Sequence, residues 1–310
     1  MSLERVLDHI SDEHTSLLPS KLHMLSALGR EETELLADRW RLIGVARRRQ
    51  IIRTMVEIAE ADFAVDFNSI LRLGLQDEDE EVRTHAIDGL WEDESPTLVD
   101  SLLRVLSTDP SIMVRAAAAT GLGRFVLLAE LEELDEELGC RIVKALREVI
   151  EDPHEALEVR RRAVEAISSS GEEGIKEIIQ EAYRHPAERM RISATFSMGR
   201  SADPDWGPNI VTELDSPSPE MRFEAARACG ELQLKEAVPG LIRLIADLDR
   251  EVQQSAIYAM GQIGGREARR ALQLCSESDD EVIAAAANQA LSELEFTGGI
   301  FDMPLREEED

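Results

Sequence analysis

The feature that most constrains this chain is a column of apolar residues that returns at near-constant intervals. Val82, Val114, Val159, Met190, Met221, Val252 and Val282 are separated by 32, 45, 31, 31, 31 and 30 residues. Four positions after each stands an alanine: Ala86, Ala118, Ala163, Ala194, Ala225, Ala256 and Ala286. Arg83, Arg115, Arg160, Arg191 and Arg222 follow the first five column residues directly, and Gly123, Gly199, Gly230 and Gly261 stand nine positions after four of them. Turn signals precede the column at Asp109-Pro110, His185-Pro186 and Ser216-Pro217. Positions 0, +4, +8 and +11 share one stripe of a 3.6-residue helix. The small +4 alanine lets two helix backbones approach closely, and a proline suits the start of a helix. Amphipathic segments precede these helices at 97–106, 174–183, 238–246 and 266–274. A pair of short helices cannot bury its apolar stripe alone, whereas a row of stacked pairs can. The expected fold is therefore an all-α α-solenoid of about eight antiparallel helix pairs.

The run Asp109-Pro110-Ser111-Ile112-Met113-Val114-Arg115 through Gly121-Leu122-Gly123 resembles the signature of the HEAT-repeat family, in its short bacterial form of the phycobilisome-lyase type. Asp249-Arg250-Glu251-Val252 through Met260-Gly261 is a second good copy, and the resemblance covers about 62–294. It implies antiparallel helix pairs whose second helices line a concave side, and most members act as binding scaffolds. It also implies that the column arginine pairs with the aspartate of the preceding turn, as Asp77 and Arg83 or Asp109 and Arg115 would. A degenerate first pair is expected at Glu34–Trp40 and 45–60, with Arg47, Arg48, Arg49 and Arg53 on the polar side of its second helix. Residues 1–30 read as capping helices, 31–295 as the solenoid with an acidic insert near 125–137, and 296–310 as an acidic disordered tail.

Charge narrows the function. Asp and Glu number 63 against 34 Lys and Arg, a formal charge of −29. Phosphate-rich partners need a basic face, so neither nucleic acid nor an anionic membrane is an expected partner. No continuous apolar run reaches the roughly 20 residues of a bilayer span, and the N-terminus lacks a secretory pattern. Cys140, Cys229 and Cys275 lie far apart without a Cys-x-x-Cys pair, which disfavours disulfides and zinc. A cytoplasmic chain with no cofactor, monomeric or weakly self-associating, is the expectation, and the resemblance to the short repeat form implies a bacterial one.

Chemical motifs are sparse. His154-Glu155 is the only His-Glu dipeptide, whereas the HEAT-like di-iron enzyme deoxyhypusine hydroxylase uses several. Asp77-Glu78-Asp79-Glu80-Glu81 lacks the glycine of a calcium loop and reads as a helix start. Cys229 and Cys275 read as packing residues. The chain is thus expected not to be an enzyme but a non-catalytic scaffold or adaptor, with a chromophore-lyase-like or other small-ligand-holding protein as the alternative. Positions +2 and +6 point away from the core stripe. They are polar or small in most repeats, but Ile192, Phe196, Phe223 and Tyr258 occupy them in repeats five to seven, with Arg227 between. These five are the candidate protein-binding residues, against the alternative that they pack between repeats. Docking of the acidic tail onto Arg47–Arg53 is a third possibility.

Overall fold

The computed structural model describes residues 2–301, with side chains to 295. Its helices form two compact units, one up to Ile167 and one from Ser168. The first contains α1 (Leu3–Ser11), α2 (Pro19–Leu22), α3 (Arg30–Trp40), α4 (Val45–Ala61), α5 (Asn68–Gly74), α6 (Glu80–Gly89), α7 (Pro96–Thr108), α8 (Ile112–Glu130), α9 (Glu136–Glu151) and α10 (Leu157–Ile167). The second contains α11 (Ile175–Tyr183), α12 (Glu188–Arg200), α13 (Gly207–Glu213), α14 (Pro219–Glu231), α15 (Val238–Leu244), α16 (Arg250–Ile263), α17 (Gly265–Ser276) and α18 (Glu281–Phe301). From α3 onward these are eight consecutive helix pairs, the all-α solenoid that the periodicity requires. Second helices stack on second helices: α4 on α6, α6 on α8 and α8 on α10, then α12 on α14, α14 on α16 and α16 on α18.

The column is the seam of this stack. Val82, Val114, Val159 and Val252 are fully buried, as are the +4 alanines from Ala86 to Ala256. The +9 glycines mark the closest approach. A Cβ built on Gly230 would lie 2.9 Å from the Cα of Ala259, and one on Gly199 2.9 Å from the Cα of Ala228. Gly123 faces Ala166 in the same way. Each contacted alanine sits seven residues after its own column residue. Gly261 faces Ala290, and that shifts the last repeat by one residue: Ala290 is seven after Ile283. Ala287 is fully buried, whereas Val282 is 42% exposed. The column residue of α18 is therefore Ile283 with Ala287 at +4, not Val282 with Ala286, and the interval from Val252 becomes 31.

The arginine ladder runs differently from the expectation. Arg83 donates to the Asp77 carbonyl oxygen at 2.7 Å, and its remaining donors grip the Asp109 carboxylate of the next turn at 2.7 and 2.9 Å. Arg115 repeats this with the Asp109 carbonyl and the Glu155 carboxylate. Arg222 does so with the Ser216 carbonyl and the Asp247 carboxylate. Each of these three arginines thus closes its own turn and reaches forward, not back, to a carboxylate in the following repeat, whereas Arg160 and Arg191 bond to the carbonyls of Ile150 and of His185 and Pro186. The guanidinium fork suits this double duty because its donors diverge. Hydrogen bonds from Arg222 hold the Asp247 carboxyl below the usual carboxylate range. Burial raises Glu155, but the bonds from Arg115 and the Ala156 amide outweigh it and its pKa is lowered.

Arg47 and Arg48 are buried, contrary to the polar-side expectation. Arg47 donates to the Ile10 carbonyl in α1 at 2.7 Å, and Arg48 meets Asp77, which also accepts from the Trp40 indole. Arg49 pairs with Asp79 and Glu81, and Arg53 with Glu81. All four have partners within the first unit. The tail from 302 lies outside the described residues, while α18 continues helically to Phe301. The long interval between Val114 and Val159 is mostly taken up by helix: α8 runs 19 residues, with Phe125 and Val126 buried, and after the link 131–135 α9 starts on the cap Asp135, which accepts from the Leu138 amide. Glu136 and Glu137 lie in the first turn of α9, where negative charge complements the helix dipole. By length and composition α8 is apolar enough to cross a membrane; here its stripe from Val114 to Phe125 is buried against α6, α7 and α10.

Candidate functional site

The outward positions +2 and +6 of the second unit lie on consecutive stacked helices. They are Ile192 and Phe196 on α12, Phe223 and Arg227 on α14, Gln254 and Tyr258 on α16, and, with the corrected register, Ala285 and Gln289 on α18. Tyr258 is 47% exposed, whereas Ile192, Phe196, Phe223 and Arg227 are half-buried. The sequence expectation of an outward column therefore meets a mixed result: each side chain shows part of its surface and packs the rest between helices.

Arg227 links two helices. Its guanidinium carbon lies 4.1 Å from the centre of the Phe196 ring, a cation–π stack. Its Nε donates to Glu224 at 2.7 Å and its Nη1 to Glu231 at 2.6 Å. Burial raises the Glu231 carboxyl above its ordinary pKa, against the opposing charges of Arg227 and Arg200. With its charge matched in this way, Arg227 packs its guanidinium on Phe196 rather than standing as an open cation. Nearby, the Ser255 hydroxyl donates to the Phe223 carbonyl at 3.1 Å, tying α16 to α14.

Beside Tyr258 the surface opens into a groove of about 620 Å³ between α16 and α18. Gln254, Tyr258, Val282, Ala285, Ala286 and Gln289 line it. The groove continues the same outward column, and its α18 wall escaped the sequence reading because the register there was one residue off. The run Ala284–Ala287 gives no phase of its own; the signal that would have found it is the 31-residue interval.

The other motifs take structural places. Glu155 of the His-Glu dipeptide is spent on Arg115 in the ladder. Asp77 and Asp79 bind arginines of α4, and Asp79 caps α6. Cys229 and Cys275 are buried; burial pushes the Cys229 thiol up to about 12 and raises Cys275 as well, so neither is a ready thiolate. Among the described residues, no group of three or more His, Cys, Asp and Glu is placed to hold a metal ion. They do not fit the di-iron centre that the resemblance brings to mind.

The model of the family described as HEAT repeats matches residues 68–138 and 207–292, just over half of the chain. Deoxyhypusine hydroxylase-B of Oryza sativa subsp. japonica is similar, 25% identical over 228 residues that cover 68% of this chain and 75% of the rice protein. The structure of the CpcE–CpcF complex of phycocyanin lyase from Nostoc sp. PCC7120 has a similar fold, with a TM-score of 0.56 and 17% identity over 91% of this chain and 97% of that one. Yeast importin-beta (Kap95p) gives 0.53 and 12% identity, covering 94% of this chain and 46% of its own. At such identities these two structures speak for the fold alone. The rice relative corrects one expectation: a chain read as not an enzyme is similar over two thirds of its length to a hydroxylase. Matched family model, repeat signature and stacked pairs agree, and the chain belongs to the HEAT-repeat family.

Proposed function

We propose that the chain binds a protein partner along the outward column of the second unit, with Ile192, Phe196, Phe223, Arg227 and Tyr258 as contact residues and the adjoining groove as the socket for a partner side chain. The observation that carries this reading is the alignment of the half-buried aromatics, the Arg227–Phe196 stack and the exposed Tyr258 on consecutive helices beside a groove. Side chains already packed lose little freedom on binding, which lowers the ordering cost. Aromatic and arginine contacts at the centre of an interface carry most of its energy. The test is capture of the partner from the native source with the tagged chain, followed by titration with variants. Tyr258→Ser and Phe223→Ser should each weaken the complex about tenfold or more, whereas Thr120→Ser in the first unit should leave it unchanged. Equal affinity for all of them contradicts the reading.

The rice relative favours a second reading, hydroxylation of a deoxyhypusine-bearing protein. The described residues offer no iron ligand set. Purified chain supplied with ferrous iron and such a protein distinguishes the readings: hydroxylated product by mass spectrometry supports the second, and unchanged substrate contradicts it.

A further inference from the structure

In the first unit, Phe63 follows α4 and Trp91 follows α6, at the same place in consecutive repeats. Their rings meet edge to face with centres 6.2 Å apart. Phe63 is 71% exposed and Trp91 42%, in a chain whose other tryptophans, Trp40 and Trp206, are buried. An aromatic pair this exposed keeps its cost in water unless something covers it.

The chain that carries the two rings is acidic in sequence. No Lys or Arg occurs in 54–71 or 84–103, while Glu60, Asp62, Glu92 and Glu94 flank the two rings in sequence and are all exposed. Glu60 lies close enough to Asp88 on α6 to act on it electrostatically, so the acids of the two repeats form one field. Among the described residues, the counter-charge on Asp88 is His85, 3.7 Å away and cationic only when protonated. The arginines that approach, Arg72 and Arg124, are turned to the carboxylate and the carbonyl of Asp93. Arg124 also lies within electrostatic reach of Glu94, which leaves Glu60, Asp62 and Glu92 as the acids without a neighbouring arginine in sequence; an apolar ring pair inside a predominantly acidic rim is complementary to a segment that brings both apolar anchors and cations, the latter stacking on Trp91 and Phe63 as well as pairing with the acids.

We infer that the Phe63–Trp91 pair with its rim of Glu60, Asp62, Glu92 and Glu94 is a docking surface for a basic amphipathic peptide segment of a partner protein. It is separate from the column of the second unit and stands whether or not that column binds anything.

Trp91 reports on the surface directly, since acrylamide reaches it and not the buried tryptophans. The probe is a synthetic peptide of lysine and leucine with leucines at helical spacing. At saturation it should lower acrylamide quenching of the intact chain. The same peptide with every leucine changed to serine, or every lysine to glutamate, should not. By fluorescence anisotropy of the labelled peptide, Phe63→Ser with Trp91→Ser should weaken binding about tenfold or more. Glu60→Gln with Glu92→Gln and Glu94→Gln should flatten its salt dependence. Phe196→Ser with Phe223→Ser should change neither. Quenching that the peptide leaves untouched, or affinity equal for the serine-for-leucine peptide, overturns the inference.

Discussion

In the first unit the outward positions are Thr84 and Asp88, Ala116 and Thr120, Arg161 and Glu165; in the second they are Ile192 and Phe196, Phe223 and Arg227, Gln254 and Tyr258. The buried column between them is the same in kind, valine or methionine with alanine four residues on. Arg161 is matched by Glu158 and Glu165 on its own helix, whereas Arg227 is matched by carboxylates and also stacked on an aromatic ring. The contrast teaches that the seam sets the fold while the outward face is free to vary, so two stretches of one array can present different chemistry on equivalent scaffolds.

The strongest way to break the comparison is to cut the shared ladder. Arg83→Ala in the first unit and Arg222→Ala in the second each leave a carboxylate that is less than a tenth exposed without its cation. Each should cost on the order of 3 kcal/mol in denaturant unfolding. If only one of them destabilises, the two seams are not equivalent. Next come the close approaches. Gly230→Ala forces a methyl to 2.9 Å from the Ala259 Cα and should lose about 1–3 kcal/mol by overpacking despite alanine's better helix propensity, whereas Gly123→Ala, with 3.1 Å to the Ala166 Cα, should lose less.

A smaller effect lies in pH. The Asp247 and Glu155 carboxyls are lowered in the folded chain. The unfolded state therefore takes up protons first, and the stabilisation is full above the ordinary carboxylate range and drains away as pH falls through the lowered values. Melting temperature should decline with acidification, and Arg222→Ala should flatten the part of that decline due to Asp247. Smallest is Tyr258→Ser, which removes a half-exposed ring and should change stability by about 1 kcal/mol or less, while weakening partner binding about tenfold or more.

Much of this fold was legible in the sequence because each repeat states the same rule again. Val82 and Ala86 alone would mean little; seven such pairs fix stacked helix pairs. The errors fell where the repeat carries no contrast or where reach matters. Val282 and Ile283 are both plausible column residues, and Ala284–Ala287 fits either register; the contact of Gly261 with Ala290, the burial of Ala287 and the exposure of Val282 decide. The six-residue spacing of Asp77 and Arg83 is real, but it serves the Asp77 carbonyl, and the carboxylate partner is the more distant Asp109. Arg47 and Arg48 look like a polar face, yet α1 and the Asp77 turn cover them. The candidate site was legible as a list of aromatics at one phase. Their half-burial was not, because that depends on how far neighbouring helices lean over each ring.

The central claim is that the outward column of the second unit, and not its counterpart in the first, meets the partner. Photocrosslinking in the native source tests it most directly, with p-benzoylphenylalanine replacing Tyr258 in one sample and Thr120, also exposed and at the same repeat position, in another. The account predicts a discrete crosslinked species from the Tyr258 replacement and none from the Thr120 replacement. The same species from both, or from Thr120 alone, would contradict it.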